Sequence, residues 1–165
     1  MTLKRAFDPV VDARTRLLIL GSLPGDASLK AGQYYGHPQN GFWRLMGGVI
    51  ATDLVALPYA ERLQALKAAG VGLWDVIARA ERRGSLDGAI RKAEAADLNR
   101  LIADLPALRA VAFNGATAAR IGRRSLTLPM APELIDLPSS SPAFTRPLAE
   151  KADAWARLSI VIAGA

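Results

Sequence analysis

An unbroken apolar run, LLIL, occupies most of residues 16–22 and stops at small residues. Without polar alternation it predicts a strand buried on both faces. The stretch that follows, LPGDASLKAGQYYGHPQN, carries Pro and Gly punctuation that excludes a helix through most of it. A helix is expected to start at Asn40 or Gly41 and to carry FWRLMGGVI, since Asn is a good N-cap. Residues 59–69 place apolar positions at helical spacing, with Pro58 at the start, where a missing N–H costs nothing. Residues 71–77, VGLWDVI, read as a second strand, and residues 96–105 as a helix that Pro106 ends. A third strand, 109–113, turns at Asn114 and Gly115 into the helix ATAARIG. Residues 133–137 form a short fourth strand, and 145–162 a closing helix with Trp155 on its buried face. Strands alternating with helices predict an α/β fold in three layers, α/β/α, around a short, mainly parallel four-stranded central sheet.

In such folds ligands bind beyond the carboxyl ends of the strands. Four polar-rich loops fall there: GSLPGD, the segment from WDVI into ARAERRGSLD, FNGATA and LPSSSPAF. The length of 165 residues suits one domain, 1–165, without internal repeats. No cysteine is present, which excludes disulfides, thiolate chemistry and cysteine metal sites. The lone histidine, His37, rules out a multi-histidine metal site and leaves a Ser-His-Asp triad only one possible centre. The N-terminus lacks the apolar core of a signal peptide, and no apolar run is long enough for a membrane span. A soluble cytoplasmic protein is expected. With 21 basic and 15 acidic residues the net charge is +6 and the pI about 10.2, so nucleic acid is a reasonable partner. Many small Arg-rich proteins are basic for compositional reasons alone, and charge by itself does not decide.

GSLPGDASLK is Gly-rich but lacks the Gly-Lys-Ser/Thr ending of a P-loop, and no G-x-G-x-x-G fingerprint is present. Alone it reads as a tight turn after a strand. QYYGHPQNGFWR packs two tyrosines, a histidine, amides, a phenylalanine and a tryptophan into twelve residues at the expected ligand edge. Aromatic faces stack on bases, and amides read base edges. The competing reading is a packing loop, and for Trp43 that reading is favoured.

GSLPG followed by YYGHPQNGFW resembles the hypoxanthine-DNA glycosylase family of the uracil-DNA glycosylase superfamily, and the resemblance continues through GLWDVIARAERRGSLD, FNG and LPSSSPA. It covers nearly the whole chain in the correct order. The related mismatch-specific uracil and thymine glycosylases share the layout, with GINPG and a stretch such as HPANRFW. The implied fold is uracil-DNA glycosylase-like. The implied activity is a monofunctional glycosylase of base excision repair that flips a deaminated base, hypoxanthine first and uracil next, from double-stranded DNA. The enzyme would act as a monomer without metal or organic cofactor. Mismatch-specific members carry a catalytic Asn in GINPG, where this chain has Leu23, and Leu137 replaces the polar residue that often opens the second motif. The resemblance passes the polar duty to Asn40 of the HPxN motif, here the candidate for holding the attacking water and equally a plain N-cap.

Phe42 is the candidate for stacking on the base, within an aromatic loop that also offers Tyr35. Backbone N–H groups of the loop holding Gly21, Ser22, Leu23 and Gly25 can donate to a base carbonyl. Asp75 matches the position where classical uracil glycosylases carry a base-reading Asn; as a carboxylate it accepts N1–H of hypoxanthine or N3–H of uracil. It reads equally well as a helix N-cap or an Arg partner. Asn114 is a further base-reading or water-holding candidate, or a plain turn residue. By resemblance, the LPSSSPAF loop enters the minor groove, with Ser139, Ser140 and Ser141 on phosphates. Phe144, where the family commonly has Asn, offers an apolar wedge; His37 is grouped with these DNA contacts. Arg82, Arg83, Arg123 and Arg124 are phosphate contacts if they share that face, and otherwise solvated charges. Three other readings stand beside the hypoxanthine enzyme: a shifted target such as uracil or xanthine, a catalytically silent DNA-binding module of the same fold, and an unrelated small-molecule α/β enzyme.

Overall fold

A computed structural model describes residues 2–82, 85–87, 90–127 and 132–163. Four parallel strands form its central sheet: β2 (Leu17–Gly21), β3 (Val71–Asp75), β6 (Ala110–Asn114) and β7 (Glu133–Leu137), in the order β3-β2-β6-β7. The expected three-layer α/β/α architecture is found. Alternation along β2 explains its unbroken apolar run. Leu17 and Ile19 enter one core, with Phe42, Met46, Leu66 and Trp155, while Leu18 and Leu20 enter the other, with Phe113, Ile102 and Ala118. The first core is covered by α2 (Phe42–Ile50), α3 (Tyr59–Ala68), α6 (Leu148–Trp155) and α7 (Leu158–Ala163). The second lies under α4 (Leu98–Ala103) and α5 (Ala116–Ser125). Helix α5 comes so close that a Cβ on Gly122 would lie 2.3 Å from the Phe113 ring.

The structure departs from the expected pattern at three places. A short helix, α1 (Asp26–Ala31), sits inside the stretch expected to be non-helical. Its six residues fit between Pro24 and Gly32, and Gly32 ends it in the left-handed conformation at φ +66°. The predicted strand 71–77 ends at Asp75, and the chain turns at once into an antiparallel sheet of β1 (Thr2–Arg5), β4 (Ile77–Arg82) and β5 (Ile90–Ala95), in the order β1-β4-β5. Much of the expected ARAERRGSLD loop is therefore strand. The N–H groups of Val76 and Ile77 bond the carbonyls of Gly21 and Ser22, which ties the bend to the end of β2. Finally, the expected closing helix is two helices, α6 and α7, although Trp155 is fully buried as predicted. Among the described residues no helix is long and apolar enough to cross a membrane.

Candidate active site

The loops at the carboxyl edge of the parallel sheet surround a cavity of about 430 Å³, a volume typical of small-ligand sites. Its wall includes Gly21, Ser22, Leu23 and Gly25 after β2, Asp75 at the end of β3, Asn114 at the end of β6 and residues 139–144 after β7. Tyr35, His37 and Asn40 enter from the segment before α2.

The GSLPG loop is fixed from behind by the antiparallel sheet. Arg82, 1% exposed, donates to the carbonyls of Leu23 and Pro24. Ser22 Oγ donates to Asp87 Oδ1 at 2.6 Å, and the Asp26 N–H donates to Ser85 Oγ at 2.8 Å. N–H opposes C=O across a trans peptide, so the Gly25 N–H faces away from Arg82. Arg82 is thus an interior strut and not the phosphate contact expected of it; Arg83 lies outside the described residues. Arg123 and Arg124 occupy the last turn of α5, about 10 Å along the helix from its start at the cavity edge. Arg123 is bound there to Asp136 at 2.9 Å.

Asp75 and the Tyr35 hydroxyl meet over Gly21, where a Cβ would lie 2.7 Å from Asp75 Oδ1 and 3.1 Å from the hydroxyl. Gly21 is needed for that space. Asp75 is 4% exposed, and neither its Oδ2 nor the Tyr35 hydroxyl has a hydrogen-bond partner among the described residues. Burial, reinforced by the Asp87 charge and opposed by Arg82, pushes the Asp75 carboxyl up to about 7. Burial and the neighbouring Asp75 also raise the Tyr35 phenol well above its ordinary value, although the Asn114 amide, outside hydrogen-bond geometry, lies close enough to pull it partly back. Tyr35 holds φ at +53°, a left-handed backbone that a bulky residue adopts only when its surroundings enforce it.

Asn40 lines the cavity with its side chain pinned: Oδ1 accepts the Phe42 N–H at 3.0 Å. An amide oxygen has two lone pairs, so the cap contact and a second acceptor role are compatible. His37 Nδ1 accepts from the Gln39 N–H, and the Gly41 N–H binds the Ser140 carbonyl, joining this segment to the serine loop. Phe42 is a correction. It is fully buried, and Tyr35 stacks on its face at 3.9 Å and 12°. The ring presented to the cavity is Tyr35, with Phe42 as its backing.

The serine loop is shaped by its own hydroxyls. Ser139 Oγ accepts from the Ser141 N–H and Ser141 Oγ from the Ala143 N–H, which leaves both O–H groups able to donate outward. Ser140 differs: at 2% exposure its N–H and Oγ are both taken by the Asn114 amide, each at 2.9 Å. Ser140 is therefore an anchor and not an outward phosphate ligand, and Asn114 spends its amide on holding the loop. Phe144 is 41% exposed at the cavity mouth, with the Arg146 and Lys151 cations 5.9 and 5.3 Å from its ring. Lys151 also donates to the Ser141 carbonyl.

Sequence reasoning missed Ser85, Leu86 and Asp87, which close one side of the cavity, and Tyr34 behind Tyr35. The GSLD run signalled the first three only as part of a polar loop; nothing in the residue pattern showed that the hairpin folds back.

A doubly covered parallel sheet with this cavity at its carboxyl edge is matched by a known family. The profile described as "Uracil DNA glycosylase superfamily" covers residues 9–159, and the chain belongs to that superfamily of DNA glycosylases. Among individual relatives, it is 42% identical over 153 residues to the "Hypoxanthine DNA glycosylase" of Methanosarcina barkeri, spanning 93% of this chain and 96% of the relative. The protein of the same name from Methanosarcina acetivorans is 41% identical over the same shares. A solution NMR structure of a candidate uracil DNA glycosylase from Methanosarcina acetivorans superposes with a TM-score of 0.85 at 38% identity, covering 99% of this chain and all of that one.

Proposed function

We propose that this DNA glycosylase is a single-domain, monomeric, cytoplasmic enzyme that removes hypoxanthine flipped out of duplex DNA. It hydrolyses the N-glycosidic bond without cutting the strand. The observation that carries the reading is the pinned amide of Asn40 in a cavity where Leu23 offers no polar side chain. With one lone pair of Asn40 Oδ1 on the Phe42 N–H, the other holds the attacking water. The start of α2 adds partial positive potential where negative charge grows on the departing base. Tyr35 lies against one face of that base, Asp75 meets its edge, and the Gly25 N–H donates to its carbonyl. Ser139 and Ser141 bind phosphates, His37 contacts the backbone and Phe144 fills the gap left in the duplex. The names of the two Methanosarcina relatives support hypoxanthine as the base.

The test is base release from labelled duplexes carrying hypoxanthine, uracil, xanthine or a thymine mismatch, with alkali added afterwards to reveal abasic sites. Hypoxanthine release without strand cutting before alkali is expected. Asn40→Ala should lower release by about 100-fold or more while duplex binding stays within about twofold. Release from uracil alone would reassign the base. Binding that falls steeply with salt, with no release from any duplex, would overturn the enzymatic reading in favour of a silent DNA-binding module.

A further inference from the structure

Asp75 and Tyr35 form the least satisfied polar cluster among the described side chains. Asp75 is 4% exposed and keeps Oδ2 without a partner, and beside it the half-buried Tyr35 turns inward a hydroxyl that also lacks one; both residues line the cavity. Isolated buried polar atoms cost stability, so such atoms in a cavity wall point to a ligand or to a proton. The surroundings decide which. Tyr34 and Tyr35 approach from the segment before α2, Arg82 from β4 and Asp87 from the loop after it. The nearby Lys4 on β1 is bonded to Asp26. Arg82, the cation felt by Asp75, is already held by the carbonyls of Leu23 and Pro24 and lies 3.6 Å from Asp87. Asp75 therefore faces a second carboxylate and two phenols with no cation devoted to it.

We propose that Asp75 enters the reaction as the neutral acid and hands its proton to the departing purine. The proposal rests on the hypoxanthine reading above and changes what Asp75 does in it, from accepting a base N–H to donating. As the C1′–N9 bond breaks, its electron pair passes to the base. The Asp75 O–H bond breaks with it, and the proton forms an N–H at N7, the basic ring nitrogen of the purine. The water held by Asn40 adds its oxygen to C1′ and releases one proton to solvent. The Asp75 carboxylate then recovers a proton from solvent, and the sum is water added across the glycosidic bond. The elevation of the carboxyl to about 7 keeps a large share of it protonated at neutral pH, which suits general-acid work.

Two measurements test this. Single-turnover release of hypoxanthine is followed from pH 5.5 to 9 for wild type and Asp75→Asn, whose amide keeps the shape but holds no transferable proton. Wild type should fall by about tenfold per pH unit once the pH passes the carboxyl's midpoint. Asp75→Asn should be slower by about 100-fold at pH 6, with a flat profile. A flat wild-type profile, or a variant within about threefold of wild type that keeps the alkaline fall, overturns the proposal. Carbon-13 titration of the Asp75 carboxyl in the wild-type protein needs neither a variant nor turnover. A midpoint near 7 supports the proposal, and one near the ordinary value of about 4 sinks it. A wild type that ignores hypoxanthine at every pH overturns the base assignment instead, and the carbon titration separates the two failures.

Discussion

Every residue of β2 and β6 is buried, whereas β4 mixes buried and half-exposed positions and most described side chains of β5 are exposed. The parallel sheet is held by burial in two apolar cores. The antiparallel sheet is held by ladder hydrogen bonds and by the edge of the second core, which Ile77 and Ala80 enter, while its charges, such as the Arg79–Glu94 pair at 2.7 Å, lie exposed. The first locates the site and the second adjusts it, because Arg82 and Asp87 reach from β4 and its following loop to the back of the GSLPG loop. Strength and tuning are thus assigned to separate parts of the molecule.

That division can be broken by substitution. Leu66→Ala removes a fully buried side chain of α3 from the first core, away from the cavity lining, and should cost about 2–5 kcal/mol in denaturant unfolding, while base release per folded molecule stays near wild type. Gly21→Ala probes the seam. Its methyl would press on Asp75 and Tyr35, so release should fall by about 100-fold with much less effect on unfolding; the reverse pattern would make Gly21 purely structural. Arg82→Met tests the tuning sheet. It leaves the Leu23 and Pro24 carbonyls without their donor, a loss of about 1–3 kcal/mol, and release should drop by more than the unfolded fraction accounts for.

Asp75→Asn should stabilise the protein in a pH-dependent way. The folded carboxyl titrates near 7, above its unfolded value near 3.8, so between those values the unfolded chain has already released the proton that the folded one retains. Wild-type stability therefore falls as pH rises from about 4 to 7, and the variant's advantage should be full at pH 8 and mostly gone at pH 4.5 in urea midpoints. Smallest of all, Arg123→Ala breaks an exposed pair with Asp136 and should change stability by less than about 0.5 kcal/mol.

The same division decides what the sequence made legible. Strands buried on both faces need continuous apolar runs, so β2, β3 and β6 stood out, and with them the loops at their carboxyl ends; β7, an edge strand with Glu133 and Asp136 exposed, showed only as a short stretch, ELIDL. IARAER and IRKAEA carry charges between small and apolar residues and show no clean period, so β4 and β5 did not. No Gly or Pro marks the break between α6 and α7, and a six-residue helix such as α1 lies below what periodicity resolves. Within the site, Asn40 and Asp75 were legible through motif order, and both line the cavity. The exchange between Phe42 and Tyr35 was not, because the sequence gives no sign of which of two stacked rings turns toward the cavity. Asp87 needed the hairpin's tertiary path, which no local pattern encodes.

The aromatic column beneath the cavity has an optical consequence. Trp155 packs on Phe42 at 5.8 Å, Phe42 stacks on Tyr35, and the Trp155 Nε1–H donates to the carbonyl of Pro138 at the head of the serine loop. Any shift of that loop against the column alters the polarity around one buried indole. The protein thus carries an intrinsic fluorophore wired to its serine loop, and the emission wavelength of Trp155, isolated by replacing Trp43 and Trp74 with Phe, would report movement of that loop in real time without an attached dye.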